Sequence, residues 1–150
     1  MNLKTIQLNY HIVLIVFVIT AGMTVNSQNL EKHQWMNRVI LIISNDSTSE
    51  IYNSQIKEFS NNTKEFADRK LLVYHIFPNT YKILNDDNDS WIKGSALFKK
   101  YSTQNRDFKI ILIGLDGNIK LEQYKLLTTE QLFTTIDAMP MRRAEIKNKP

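Results

Sequence analysis

Three apolar runs constrain this chain more than any other feature. Arg38–Ile43 (RVILII), Leu71–Phe77 (LLVYHIF) and Phe108–Leu115 (FKIILIGL) are continuous rather than alternating, and rich in branched aliphatic residues. A strand that is apolar on both sides needs cover on both sides, so these runs predict the middle of a sheet held between helices. A helical signature lies between the first two. Ser47 and Glu50 have capping-box spacing. Tyr52, Ile56, Phe59, Thr63 and Phe66 then recur at intervals of four and three, which predicts one helix with a single buried face reaching Phe66.

Pro78-Asn79 stops the second run, and a polar stretch follows up to Ser90. A second helix is expected from about Ser90 through Tyr101, weakened by Gly94. Asp116-Gly117 is a tight-turn signal that returns the third strand as Ile119–Tyr124. Thr128 or Thr129 caps a last helix carrying Leu132, Phe133 and Ile136, which ends before Pro140. The order β-α-β-α-β-β-α gives an α/β domain, a mixed sheet with helices on both faces, and it is the element order of the thioredoxin fold.

Ahead of this domain, Lys4 and the apolar run Ile12–Ile19 precede AGMTVNS, with Val25 and Ser27 suited to positions −3 and −1 of a cleavage site. Ile12–Val25 is only 14 residues and contains Thr20, Gly22 and Thr24, whereas a bilayer span takes about 20 apolar residues. Residues 1–27 therefore read as a signal peptide. The expectation is a periplasmic or secreted chain without stable membrane insertion, with one domain over 28–150 and its core over about 30–146.

The chain has no cysteine, which removes disulfides, zinc–cysteine sites, iron–sulfur clusters and thiol nucleophiles together. Its net charge is +4, and +3 once Lys4 is removed. Lys57, Lys64, Lys70, Lys99, Lys100, Lys109 and Lys125 are scattered, which argues against a nucleic-acid interface; the one local cluster is Arg142, Arg143, Lys147 and Lys149. No cofactor or metal is expected. The acidic run Asn85–Ser90 fits no EF-hand register, because neither start places Gly sixth and Glu twelfth.

Three segments carry a family resemblance: Ile136–Arg142 (IDAMPMR), Gln34–Leu41 (QWMNRVIL) and Ile113–Lys120 (IGLDGNIK). Together they resemble the DUDES-type domains, a bacterial family of unknown function also present in vertebrate sushi-repeat and extracellular-matrix proteins. The resemblance spans about residues 30–146 and implies a thioredoxin-like fold distantly similar to peroxiredoxins. In that fold the reactive cysteine follows the first strand, where the helix N-terminus lowers its pKa. This chain has Ser44-Asn45-Asp46-Ser47-Thr48 there, and Thr103-Gln104-Asn105-Arg106-Asp107 where redox members carry a cis-proline. Thiol–disulfide exchange and thiol peroxidase chemistry have no nucleophile here.

A serine nucleophile needs a neighbouring base, and the expected mature chain offers only His33 and His75. Capping is the ordinary role for Ser47 and Thr48. The enzyme reading that can be built is an anion-handling or hydrolytic site from Ser44, Ser47, Thr48 and Arg106. The thioredoxin-like path puts Met139–Arg143 at the opposite end, with Trp35, Arg38, Asp116 and Asp137. Two readings of that end stay open. One is a structural lock in which Arg142 bonds carboxylates or carbonyls while Met139 and Met141 pack near Trp35. The other is a binding surface with Arg142 and Arg143 anchoring an acidic partner, an envelope or extracellular protein. A purely structural envelope role would leave both ends without a ligand.

Overall fold

The structure is a computed structural model that describes residues 30–84 and 90–148. The proposed signal segment, most of the acidic run and Lys149 lie outside the described residues. A 3-10 turn at Leu30–His33 leads into β1 (Arg38–Ser44), α1 (Glu50–Phe59), α2 (Thr63–Asp68), β2 (Leu71–Ile76), β3 (Thr80–Leu84) and β4 (Ile92–Lys93). Then come α3 (Ala96–Tyr101), β5 (Phe108–Ile113), β6 (Ile119–Gln123), α4 (Thr129–Asp137) and α5 (Pro140–Lys147). The six strands form one mixed sheet in the order β4-β3-β2-β1-β5-β6. β1 pairs parallel with β2 (Arg38 opposite Leu71) and antiparallel with β5 (Val39 opposite Ile113).

The apolar runs occupy the centre because only central strands have both faces covered. Ile40, Ile42, Val73, Ile110 and Leu112 pack beneath α1, α2 and α4 with Tyr52, Phe59, Phe66, Leu132 and Ile136. Val39, Leu41, Ile43, Tyr74, Ile76, Ile111 and Ile113 form the opposite core with Leu97 of α3 and the half-buried Leu30. Edge strand β6 is largely exposed. Its hairpin turns at Gly117, whose φ of +78° an L side chain rarely adopts.

The structure corrects four sequence expectations. The helix from Ser47 to Phe66 is two helices, because Ser60 Oγ donates to the Lys57 carbonyl and Asn62 Nδ2 to that of Glu58, ending α1 early. Phe59 and Phe66 still meet edge to face at 5.4 Å, which is why their spacing reads as continuous. The cap of α1 is Ser49 rather than Ser47: Ser49 Oγ accepts from the Tyr52 N–H at 3.3 Å. Residues 80–84 form β3, antiparallel to β2, and β4 with Gly94 takes the first turns of the expected second helix. Finally, Pro140 opens a new helix at its first position, where a missing N–H costs nothing.

Candidate functional site

At the loop end, Asp46 dominates the geometry. Its carboxylate accepts from the Thr48 N–H (Oδ1, 2.8 Å) and the Thr48 hydroxyl (Oδ2, 2.7 Å), and these two bonds hold its pKa below the ordinary range. Ser44 is buried, and its hydroxyl donates to the Asp46 carbonyl at 2.8 Å. Ser47 is exposed. Asn45 spans to the facing loop through Asp107 at 2.6 Å, whereas the Arg106 guanidinium lies 5.0 Å over the Tyr124 ring. Ser44 and Thr48 thus converge on Asp46, and Arg106 stands with Tyr124. An incoming anion would meet the Asp46 carboxylate at donors it already engages. His75 is buried with Nδ1 2.8 Å from the Tyr52 hydroxyl, whose pKa burial pushes up to about 12; His33 Nε2 lies 2.7 Å from the Tyr74 hydroxyl.

The other end carries a denser arrangement. Arg142, on the first turn of α5, is 3% exposed. Its Nη2 pairs with the Asp68 carboxylate, its Nη1 donates to the Asp68 carbonyl at 2.8 Å, and its Nε to Asp137 at 3.1 Å. Arg69 grips the same Asp137 with two bonds (3.1 and 2.6 Å) and stacks 4.0 Å over Phe133. Arg38, fully buried at the start of β1, donates Nη1 to the Arg69 carbonyl (2.8 Å) and to Glu145 (3.2 Å). Arg142 is therefore a tie between α2, α4 and α5, and Arg143, one residue on, is the exposed cation. Met139 packs against the core under α4, while Trp35 is 62% exposed. Asp68, Arg69 and Glu145 are the members that sequence reasoning missed. The acidic and basic residues around α2 carry no spacing signal that points across the fold to IDAMPMR.

On the sheet side of this end, Asp116 pairs with Lys120 at 2.7 Å and takes bonds from the Asn118 side chain and N–H. The Trp35 N–H donates to the Leu115 carbonyl at 2.7 Å, tying the segment before β1 to this turn. Lys120 and then Asn118 hold the Asp116 carboxyl down at about 2. Burial pushes the Asp137 carboxyl up, but Arg69 and Arg142 outweigh it and keep it below its ordinary value. Both groups bind fewer protons folded than unfolded, so their stabilisation is present above their ordinary value of 3.8 and lost as pH falls through the folded values. Urea midpoints are expected to fall steadily below about pH 4, with a last step near pH 2 that Asp116→Asn removes. A midpoint flat from pH 5 to pH 2 would contradict this assignment.

A family model described as "Domain of unknown function (DUF4174)" matches residues 29–145. The chain belongs to that family. Its description does not use the DUDES name. IDAMPMR falls within the matched range, so the tie through Arg142 is built from segments of this DUF4174 domain. Among solved structures the chain is similar to the reduced 2-Cys peroxiredoxin of Plasmodium vivax, with TM-score 0.55 and 12% identity over 77% of this chain and 85% of that one. That likeness establishes a thioredoxin-like fold for the DUF4174 domain, in a chain without cysteine. No curated protein matches it. Among the described residues no helix is long and apolar enough to cross a membrane, and no three His, Asp or Glu side chains gather as metal ligands.

Proposed function

We propose that this chain is an exported, non-redox binding module that presents its IDAMPMR end to a protein of the envelope or extracellular space. Trp35 carries the reading. It exposes 62% of its surface while its backbone sits at φ +66°. A left-handed conformation costs an L residue about 1–2 kcal/mol, and a bulky side chain there is an outlier that folds tolerate chiefly where function needs it. Met36, Ile119, Met141 and Ile146, on segments of the same end, are also exposed, with Arg143 beside Met141. Aromatic, Met and Arg side chains are the residues enriched at the centres of interfaces. Lys4, the Ile12–Ile19 run and the Val25/Ser27 positions support export. The absence of any thiol supports a role other than disulfide chemistry.

Affinity capture from the native envelope fraction tests it, using immobilised wild-type chain, Trp35→Asn and Arg143→Glu. Asparagine tolerates the left-handed conformation, so Trp35→Asn is expected to fold with stability unchanged or raised by up to about 1 kcal/mol, and to lose the captured partner. Arg143→Glu is expected to weaken capture without destabilising the fold. Equal recovery of the same proteins by all three baits would overturn the proposal.

A further inference from the structure

Helix α5 is held to the body of the domain by charge rather than by apolar burial. Of its eight residues only Arg142 is buried, and it meets Asp68, Asp137 and Glu145. Glu145, on the same side of the helix, reaches Arg38 and Lys70. At about 100° per residue, that side being inward turns Arg143, Ala144 and Lys147 outward, and all three are exposed. Met141 and Ile146 border this outer face and are also exposed. Three features separate it from an ordinary solvated helix face. The first turn holds no acidic residue, so Arg143 is a cation at the helix end that favours anions. Arg143 and Lys147 are like charges four residues apart, a spacing at which they repel. The nearby carboxylates are already engaged: Asp68, Asp137 and Glu145 by Arg38, Arg69, Lys70 and Arg142, and Asp116 by Lys120. Among the described residues, neither Arg143 nor Lys147 has a carboxylate partner.

Charge complementarity selects the partner. Behind α5 four cations share three carboxylates, and Arg143 and Lys147 add two further positive charges on its outer face. Along the helix axis these two residues are about 6 Å apart. Alternate residues of an extended chain point to one side and are about 6.6 Å apart. An extended segment with acidic residues at alternate positions therefore meets both cations in register. A lipid surface fits less well, because recognition of anionic headgroups takes clusters of about 4–8 Lys or Arg and this face carries two. Met141 and Leu115 line one cavity, and the Leu115 carbonyl accepts the Trp35 N–H, so the Met141 border lies toward Trp35. We infer that the outer face of α5 docks an acidic, extended segment of a partner protein. Two alternate carboxylates pair with Arg143 and Lys147, and an adjacent aliphatic side chain rests on Met141. The inference rests on reading this end as a binding surface and names the partner's chemistry.

Titration of the full chain with capped pentapeptides tests it, followed by NMR at the Arg143 Nε–H and the Met141 methyl. The first peptide is leucine-threonine-glutamate-threonine-glutamate; in the others glutamine or lysine replaces both glutamates. At low ionic strength the glutamate peptide is expected to shift both signals along one saturable isotherm, at least about fivefold tighter than the glutamine peptide. In 1 M salt, where the screening length is about 3 Å, that advantage is expected to disappear. Arg143→Glu together with Lys147→Glu is expected to reverse the order and favour the lysine peptide over the glutamate peptide by about fivefold. The neutral pair Arg143→Gln with Lys147→Gln is expected to bind the glutamate and glutamine peptides equally. All four substitutions lie at exposed positions, and far-UV circular dichroism is expected to match the wild type. Equal binding of the glutamate and glutamine peptides by the wild type would overturn the inference. So would an order unchanged by charge reversal, or saturable binding to phosphatidylserine vesicles with none to any peptide. A failed titration alongside lost capture by Trp35→Asn would leave the binding surface in place and remove only its acidic partner.

Discussion

Arg142→Ala is expected to destabilise the fold by about 3–5 kcal/mol, the usual cost of removing one partner from a buried ion pair and leaving its carboxylates behind. For a domain of this size that corresponds to a fall in melting temperature of about 10–20 °C. The size of the effect follows from what the guanidinium joins. Its side chain is 4% exposed and reaches Asp68 at the end of α2, Asp137 at the end of α4 and Glu145 within α5. Asp137 keeps Arg69 in the variant, but Asp68 loses both the ion pair and the bond to its carbonyl. Arg142→Lys retains the charge without the fork and is expected to recover part of the loss. Arg143→Ala, at the adjacent exposed position, is expected to stay within about 0.5 kcal/mol. Equal melting temperatures for wild type and Arg142→Ala would show that this network adds nothing to stability.

Gln55→Leu is expected to cost about 2–5 kcal/mol despite nearly conserving volume. Gln55 is fully buried on α1 and clasps the backbone of Leu127: its amide donates to the Leu127 carbonyl at 2.9 Å, and its carbonyl accepts the Leu127 N–H at 2.8 Å. Leucine leaves both backbone groups buried without partners, at about 1–3 kcal/mol each. Gln55→Glu gives a sharper signature. The carboxylate accepts from the N–H but faces the carbonyl oxygen, so the folded state favours the protonated acid and raises its pKa. The variant is therefore expected to gain stability as pH falls from 7 toward 5, opposite in sign to the acid loss from Asp116 and Asp137. Chemical denaturation at the two pH values checks it, and a Gln55→Glu variant no more stable at pH 5 would refute the bidentate clasp.

Both positions show where sequence reading stops. Gln55 sits within the face marked by Tyr52, Ile56 and Phe59, but nothing local says that it meets a backbone segment 72 residues away. Arg142 stands in a segment distinctive enough to single out, and its carboxylate partners lie on α2 and α4. Pair interactions across the fold leave no periodic trace, because each depends on where two unrelated elements are placed. The errors in element boundaries have more local causes. Ser60 and Asn62 end α1 through side-chain bonds to carbonyls, so a spacing that reads as one helix is two whose phenylalanines pack together. β3 leaves little local signal because TYKIL is short and half-buried, and it gains its strand character by pairing with β2.

From the amino-acid order alone came the central strands, the mixed sheet covered on both faces, the tight turn at Asp116-Gly117 and the absence of any thiol. All follow from local chemistry: continuous apolar runs need two covers, a tight turn with positive φ favours glycine, and thiolate chemistry needs sulfur. Tertiary structure alone decided that Arg142 is a buried tie and Arg143 the exposed cation, although they are neighbours with equal charge. It also decided that Asp46 already engages the Thr48 N–H and hydroxyl at the loop end, and that Arg38 is fully buried at the start of β1. Burial and partnership are properties of position in the fold, and a residue's name does not carry them.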